Sequence, residues 1–132
     1  MGFWGFWVFM LVMNLLIPFI MIVFGKVFIK NAPKEINWAY GYRSSMSMKN
    51  KETWQFAHHY CGRLWTYIGY VSLVLTALSM LFVLGKDTDT VGIFGGVVSG
   101  VQIVILLLSI VPTELALRRN FDKNGEWKND VK

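Results

Sequence analysis

Three long runs along the chain carry apolar residues without a single Asp, Glu, Lys or Arg, over residues 1–25, 64–85 and 90–113. About 20 apolar residues in a helix cross about 30 Å of hydrocarbon, so each run is long enough to span a membrane once. The pattern predicts an all-α membrane protein forming a single membrane domain over 1–132. Its spans fall at about 3–25, 64–85 and 90–113, with a signature segment over 31–63 and a tail over 114–132. Between the first two spans the periodicity changes. Ala32-Pro33-Lys34 reads as a turn, Trp38, Tyr40 and Tyr42 as residues held at headgroup level, and Gly41 as a sharp bend. Asn50 is placed to cap a helix that starts with Lys51, Glu52 and Thr53. From there Trp54, Ala57, Cys61, Leu64 and Trp65 recur at three-and-four spacing, while Glu52, Gln55, His59 and Arg63 form a polar stripe. An interfacial amphipathic helix that feeds the second span follows.

Polar residues inside the spans are few, and each needs a partner in lipid. In the first span Pro18 cannot donate to the carbonyl of Asn14 four residues earlier, so a kink is expected there, with the Asn14 amide facing protein or water. The outer end of that span begins with Phe3, Trp4, Phe6 and Trp7, aromatic rings suited to the interface. The second span carries a stripe of mostly small residues through Thr66, Gly69, Ser72 or Leu73, Thr76 and Ser79. The third has Gly92, Gly96 and Gly100 in consecutive small-xxx-small steps, a face for close helix packing against this chain or another copy, so a homo-oligomer is an expected partner state. Gln102 and Ser109 are candidates for hydrogen bonds across helices, and Pro112 for the exit into a tail expected to fray from Arg118.

Composition agrees with lipid as the solvent: 55% of residues are hydrophobic and only 16% charged. The net charge of +5 would raise nucleic acid as a partner in a soluble protein. Here its distribution assigns it otherwise. Every Lys and Arg lies between the first two spans or after the third, except Lys86. Cations collect on the cytoplasmic side, so the long segment and the tail are expected inside, the N-terminus and the turn 87–90 outside, in a multi-pass protein of the cell membrane. No direct nucleic-acid contact is expected. The first span has neither the basic leader nor the small-residue cleavage site of a secretory signal. The single cysteine, Cys61, excludes an internal disulfide.

The run Gly41-Tyr42-Arg43-Ser44-Ser45-Met46-Ser47-Met48-Lys49-Asn50, followed by Trp54, His58 and Gly62, resembles the signature of the SdpI-type immunity family of bacterial membrane proteins. That signature has Gly-x-Arg-Thr, a second Thr three residues on, Ser or Asn, then a Trp, a His four residues after it, and a Gly. Ser44 and Ser47 stand where the family usually has threonines, and both keep a hydroxyl. The resemblance implies protection against a secreted peptide toxin that attacks the membrane, and in some systems a toxin-receptor role that holds a transcriptional repressor at the membrane. This chain carries only the minimal three-span module.

Elementary chemistry gives these residues two sets of roles. Arg43 is a permanent cation suited to lipid phosphate, to clamping its own loop, or to a partner's carboxylate or carbonyls. Ser44, Ser47 and Asn50 are natural caps and turn formers. His58, Cys61 and Glu52 are the available metal ligands, but adjacent His58 and His59 point about 100° apart on a helix. A closed site also needs four convergent donors, so no metal and no cofactor is expected. A histidine bonded to the loop of Arg43 fits better. Two other function classes stay open: an intramembrane enzyme using His58, Glu52 and Cys61, although HExxH and GxSxG are absent and Glu114 has no evident partner, and an oligomeric transporter or channel, although no span carries a full charge.

Overall fold

The structure, a computed structural model, describes residues 3–37 and 41–128, so Trp38 and Tyr40 lie outside the described residues. It consists of α1 (Phe3–Asn31), α2 (Lys51–Met80), a 3₁₀ turn at Leu81–Val83, α3 (Thr88–Leu108) and α4 (Ile110–Asn120). Three stretches, Trp4–Asn31, Lys51–Val83 and Thr88–Asn120, are long and apolar enough to cross a membrane. Large apolar side chains such as Val12, Phe19, Leu75, Leu78, Val97, Val104 and Leu107 are exposed. Such a surface would associate in water, whereas in hydrocarbon it faces the solvent it matches. The chain is a multi-pass, all-α membrane protein.

Two helices extend beyond the apolar runs. The amphipathic stretch after Asn50 is the opening of α2 itself, which continues without interruption into the second span. At the other end, helix persists past residue 113. Pro112 has no N–H for the carbonyl of Leu108, and the helix breaks at Ser109 and resumes as α4.

The chain divides into two units. The first comprises Met1–Ile22 and Tyr67–Leu107. Its core is Met80, Val83 and Val91, with Phe6, Trp7, Met10, Leu11 and Phe94 packed around them. Trp7, expected to anchor at the interface, turns inward and donates from Nε1 to the Met80 carbonyl at 2.8 Å, while Trp4 stays exposed. Asn14 is fully buried and is the polar centre of the unit. α1 runs through Pro18, and the Asn14 carbonyl that Pro18 leaves without a donor accepts from Gln102 Nε2 at 2.8 Å. Gln102 Nε2 also donates to Thr76 Oγ1 at 2.9 Å, and Ser99 Oγ to Asn14 Oδ1 at 2.5 Å. Close approach to α1 falls to Gly95, where a β-carbon would collide with Met10 and meet Asn14 Nδ2 at 3.0 Å. The expected packing glycines behave differently: a β-carbon at Gly92 would lie in ordinary contact with Phe6, and none of the described residues comes within 4 Å of one at Gly96 or Gly100. The register explains this, since Gly95 shares a helix face with buried Val91 and Gln102 whereas Gly96 and Gly100 lie about 100° or more around.

The second unit comprises Val23–Thr66 and Leu108–Lys132. Gly25 and Gly62 let two helix backbones meet: a β-carbon at Gly62 would come within 2.6 Å of the Gly25 carbonyl oxygen. The core gathers Met46, Ala57, Leu117 and Phe121, with Tyr42, Phe56 and Trp127 against it. The tail therefore does not fray at Arg118. Its helix runs to Asn120, and Phe121 and Trp127 then form an isolated antiparallel bridge, their rings 4.3 Å apart. Burial of Phe121 and partial burial of Trp127 outweigh the polar composition around them.

Candidate functional site

The signature segment is a loop folded back on the start of α2, and its short polar side chains make the fold. Asn50 caps α2 as expected, its Oδ1 accepting from the Thr53 N–H at 2.9 Å, while Thr53 Oγ1 accepts from the Asn50 N–H at 3.1 Å. Ser44 and Ser47 bond reciprocally: Ser47 Oγ accepts from the Ser44 N–H at 2.8 Å and Ser44 Oγ from the Ser47 N–H at 3.1 Å. A hydroxyl three residues from another closes this turn.

Gly41 has φ +113°, a conformation that glycine tolerates and other residues resist. Space gives a second reason, because a β-carbon there would come within 2.5 Å of His58 Nε2. The bend aims the Tyr42 N–H at His58 Nε2, 2.9 Å away, and His58 Nδ1 lies 2.7 Å from the Trp54 carbonyl. The carbonyl can only accept and the amide can only donate. The ring is thus neutral with its proton on Nδ1, and both nitrogens are engaged. Aromatic neighbours enclose it, Trp54 at 4.3 Å and Phe28 edge-on at 4.9 Å between centroids. Trp54 Nε1 donates in turn to the Pro33 carbonyl at 2.6 Å. His58 is the strut between loop and helix.

Tyr42 joins the loop to α4 by a contact that sequence reasoning missed. Its hydroxyl donates to Glu114 Oε2 at 2.5 Å, so Glu114 has a partner after all. Burial, then the hydrogen bond to Glu114 and the carboxylate charge, push the phenol well above its ordinary range, so it remains a donor at physiological pH. Spacing alone could not reveal a pair this far apart in sequence.

The metal candidates are not gathered. Glu52 accepts from Trp127 Nε1, Cys61 is buried in the core, and His58 has both nitrogens bonded. Among the described residues no three His, Cys, Asp or Glu side chains converge. Of the eight signature residues, Ser47, Trp54, His58 and Gly62 are buried, Gly41, Ser44 and Asn50 are half-buried, and Arg43 is exposed.

The sequence profile of the SdpI/YfhL protein family matches residues 34–113, more than half of the chain. The chain belongs to that family. No curated protein and no solved structure matches significantly. SdpI/YfhL membership supports a membrane protein of immunity type in general terms. The match takes in the whole signature loop, α2 and α3 and stops at Thr113, so most of α4 and the folded tail lie outside it.

Proposed function

We propose that this SdpI/YfhL protein is a membrane immunity factor that binds a secreted, membrane-active peptide toxin and shields the bilayer from it. Family membership over residues 34–113 carries this reading, and the construction of the signature loop gives it a physical form. The hydrogen bonds of Tyr42, Ser44, Ser47, Asn50 and His58 make the loop a rigid support, and Arg43 is its exposed signature residue. Its guanidinium suits a carboxylate or a row of backbone carbonyls on a peptide. A preformed loop also reduces the ordering cost of binding. In the proposed orientation the N-terminus is outside, the loop and tail are cytoplasmic, and a transcriptional repressor held at the membrane would meet that same cytoplasmic face.

Expression in a sensitive bacterium challenged with candidate peptide toxins tests the reading. Wild-type protein should raise survival, Arg43→Ala should lose most of the gain while retaining normal membrane levels, and Ser45→Ala on the neighbouring exposed position should retain it. No gain in survival for any toxin removes the immunity reading. Orientation is checked with Ser45→Cys in a Cys61→Ala background, because Cys61 is too buried to report. Labelling by an impermeant thiol reagent in intact cells would reverse the proposed topology.

A further inference from the structure

Beside the signature loop, on the side formed by the tail, lies a cavity of about 450 Å³ that the reading above does not use. Four cations line it: Lys49 from the loop, Arg118 from the last turn of α4, and Lys123 and Lys128 from the tail. Among the described residues none of the four forms an ion pair. One acid, Asp122, also lines the cavity, but its Oδ1 already accepts from the backbone N–H groups of Asn124 and Glu126. Met46 and Phe121, both buried, form the apolar part of the wall.

The walls are held in place. Asn50 Nδ2 donates to the Gly125 carbonyl at 2.7 Å and the Lys128 N–H to the Asn120 carbonyl at 3.0 Å, which fixes the tail turn against the loop. Gly125, with φ +84°, packs so closely that a β-carbon there would meet Asn50 Nδ2 at 2.7 Å. Asn50, already the cap of α2, thus also ties the tail turn to the loop. Gathering unpaired cations in one concavity is unfavourable without a counter-charge, and a fixed cavity accepts one without reordering.

Depth selects the anion. Leu115 on α4 is exposed and apolar, and Arg118 follows at i+3 on the same face, about 4.5 Å further along the axis. The exposed apolar surface of α4 thus gives way to a cationic side chain within one turn, the change expected where hydrocarbon gives way to headgroups. We propose that this cavity binds the phosphate of an anionic lipid headgroup, with Arg118 contributing paired N–H donors and the three lysines contributing charge. Three of the four cations lie beyond the family match, so the site belongs to this chain's own tail.

The full chain in nanodiscs of phosphatidylcholine, with and without phosphatidylglycerol, tests this by native mass spectrometry of retained lipid and by thermal melting. Wild type should retain phosphatidylglycerol selectively and melt higher in its presence. Lys49→Gln/Arg118→Gln/Lys123→Gln should weaken retention at least about tenfold, since each cation near the surface contributes appreciably. The control Lys30→Gln/Lys34→Gln/Arg63→Gln, which removes equal charge elsewhere in the same unit, should change it less than about twofold. Lys123→Glu alters one exposed side chain and should by itself lower retention even if the triple variant misfolds. The proposal is overturned if pocket and control variants lose lipid equally, which would mean diffuse surface charge. It is also overturned if inorganic phosphate alone reproduces the stabilisation, or if a polyglutamate peptide binds where phosphatidylglycerol does not.

Discussion

The two units solve the same problem, buried polar groups in a protein surrounded by lipid, by different means. In the unit of Met1–Ile22 and Tyr67–Leu107, a few long-range bonds converge on Asn14, and much of the remaining surface is apolar and exposed. In the unit of Val23–Thr66 and Leu108–Lys132, many short bonds fold a loop onto a helix, and Tyr42 and Asn50 add contacts to α4 and the tail. The first arrangement holds helices at a chosen rotation. The second builds a rigid polar surface, and that is where both the exposed Arg43 and the cationic cavity are found.

The largest expected effect comes from closing the helix contact of the loop-bearing unit. Gly62→Val would drive side-chain atoms into the Gly25 backbone, and overpacking against backbone should cost about 3 kcal/mol or more, read as a loss of folded protein in detergent melts. His58→Ala comes next: it strands the Tyr42 N–H and opens a cavity between Trp54 and Phe28, for about 2–4 kcal/mol. Hydrogen exchange at the Tyr42 amide should rise before global unfolding. Asn14→Leu in the other unit should cost less, about 1 kcal/mol, because interhelical hydrogen bonds in lipid are individually modest and the Gln102 bond to the Asn14 backbone survives. A loss larger than that of His58→Ala would invert the contrast between the units.

A pH titration separates them further. Tyr42 has a raised folded pKa, so its contribution is complete below the ordinary phenol value of 10.0 and is lost as pH climbs toward the raised one. Stability attributable to the loop should be flat to about pH 10 and fall above it, and Tyr42→Phe should abolish that fall while leaving the rest of the curve. The smallest effect is expected at Gly96→Val, within about 0.5 kcal/mol for the monomer, since none of the described residues meets a β-carbon at that position. A large loss there would point to a second copy packed on the face.

Local chemistry was legible in the sequence and distant pairing was not. The Asn50 cap, the Ser44 and Ser47 turn and the need for glycine at Gly41 follow from residues within a few positions of each other, and a reader of the chain can place them. Asn14 was recognisable as a residue needing a partner and Gln102 as one seeking it, but nothing local pairs them. The four-residue repeat of Gly92, Gly96 and Gly100 marks a stripe without saying which way it faces, and the close approach falls to the flanking Gly95. The tail misled for a related reason: Phe121 and Trp127 are isolated apolar residues in a polar stretch, and only the partners Met46, Ala57 and Phe56 show why they stay.

Closure of the tail has a practical corollary for anyone attaching a reporter to this protein. Truncation or fusion at Asn120 would withdraw Phe121 from the core and the Gly125 carbonyl from Asn50, so that the residue capping α2 would lose its tether to the tail. A fluorescent or enzymatic label joined after Lys128 leaves that closure intact, so two fusions differing by a handful of residues would report on differently folded molecules.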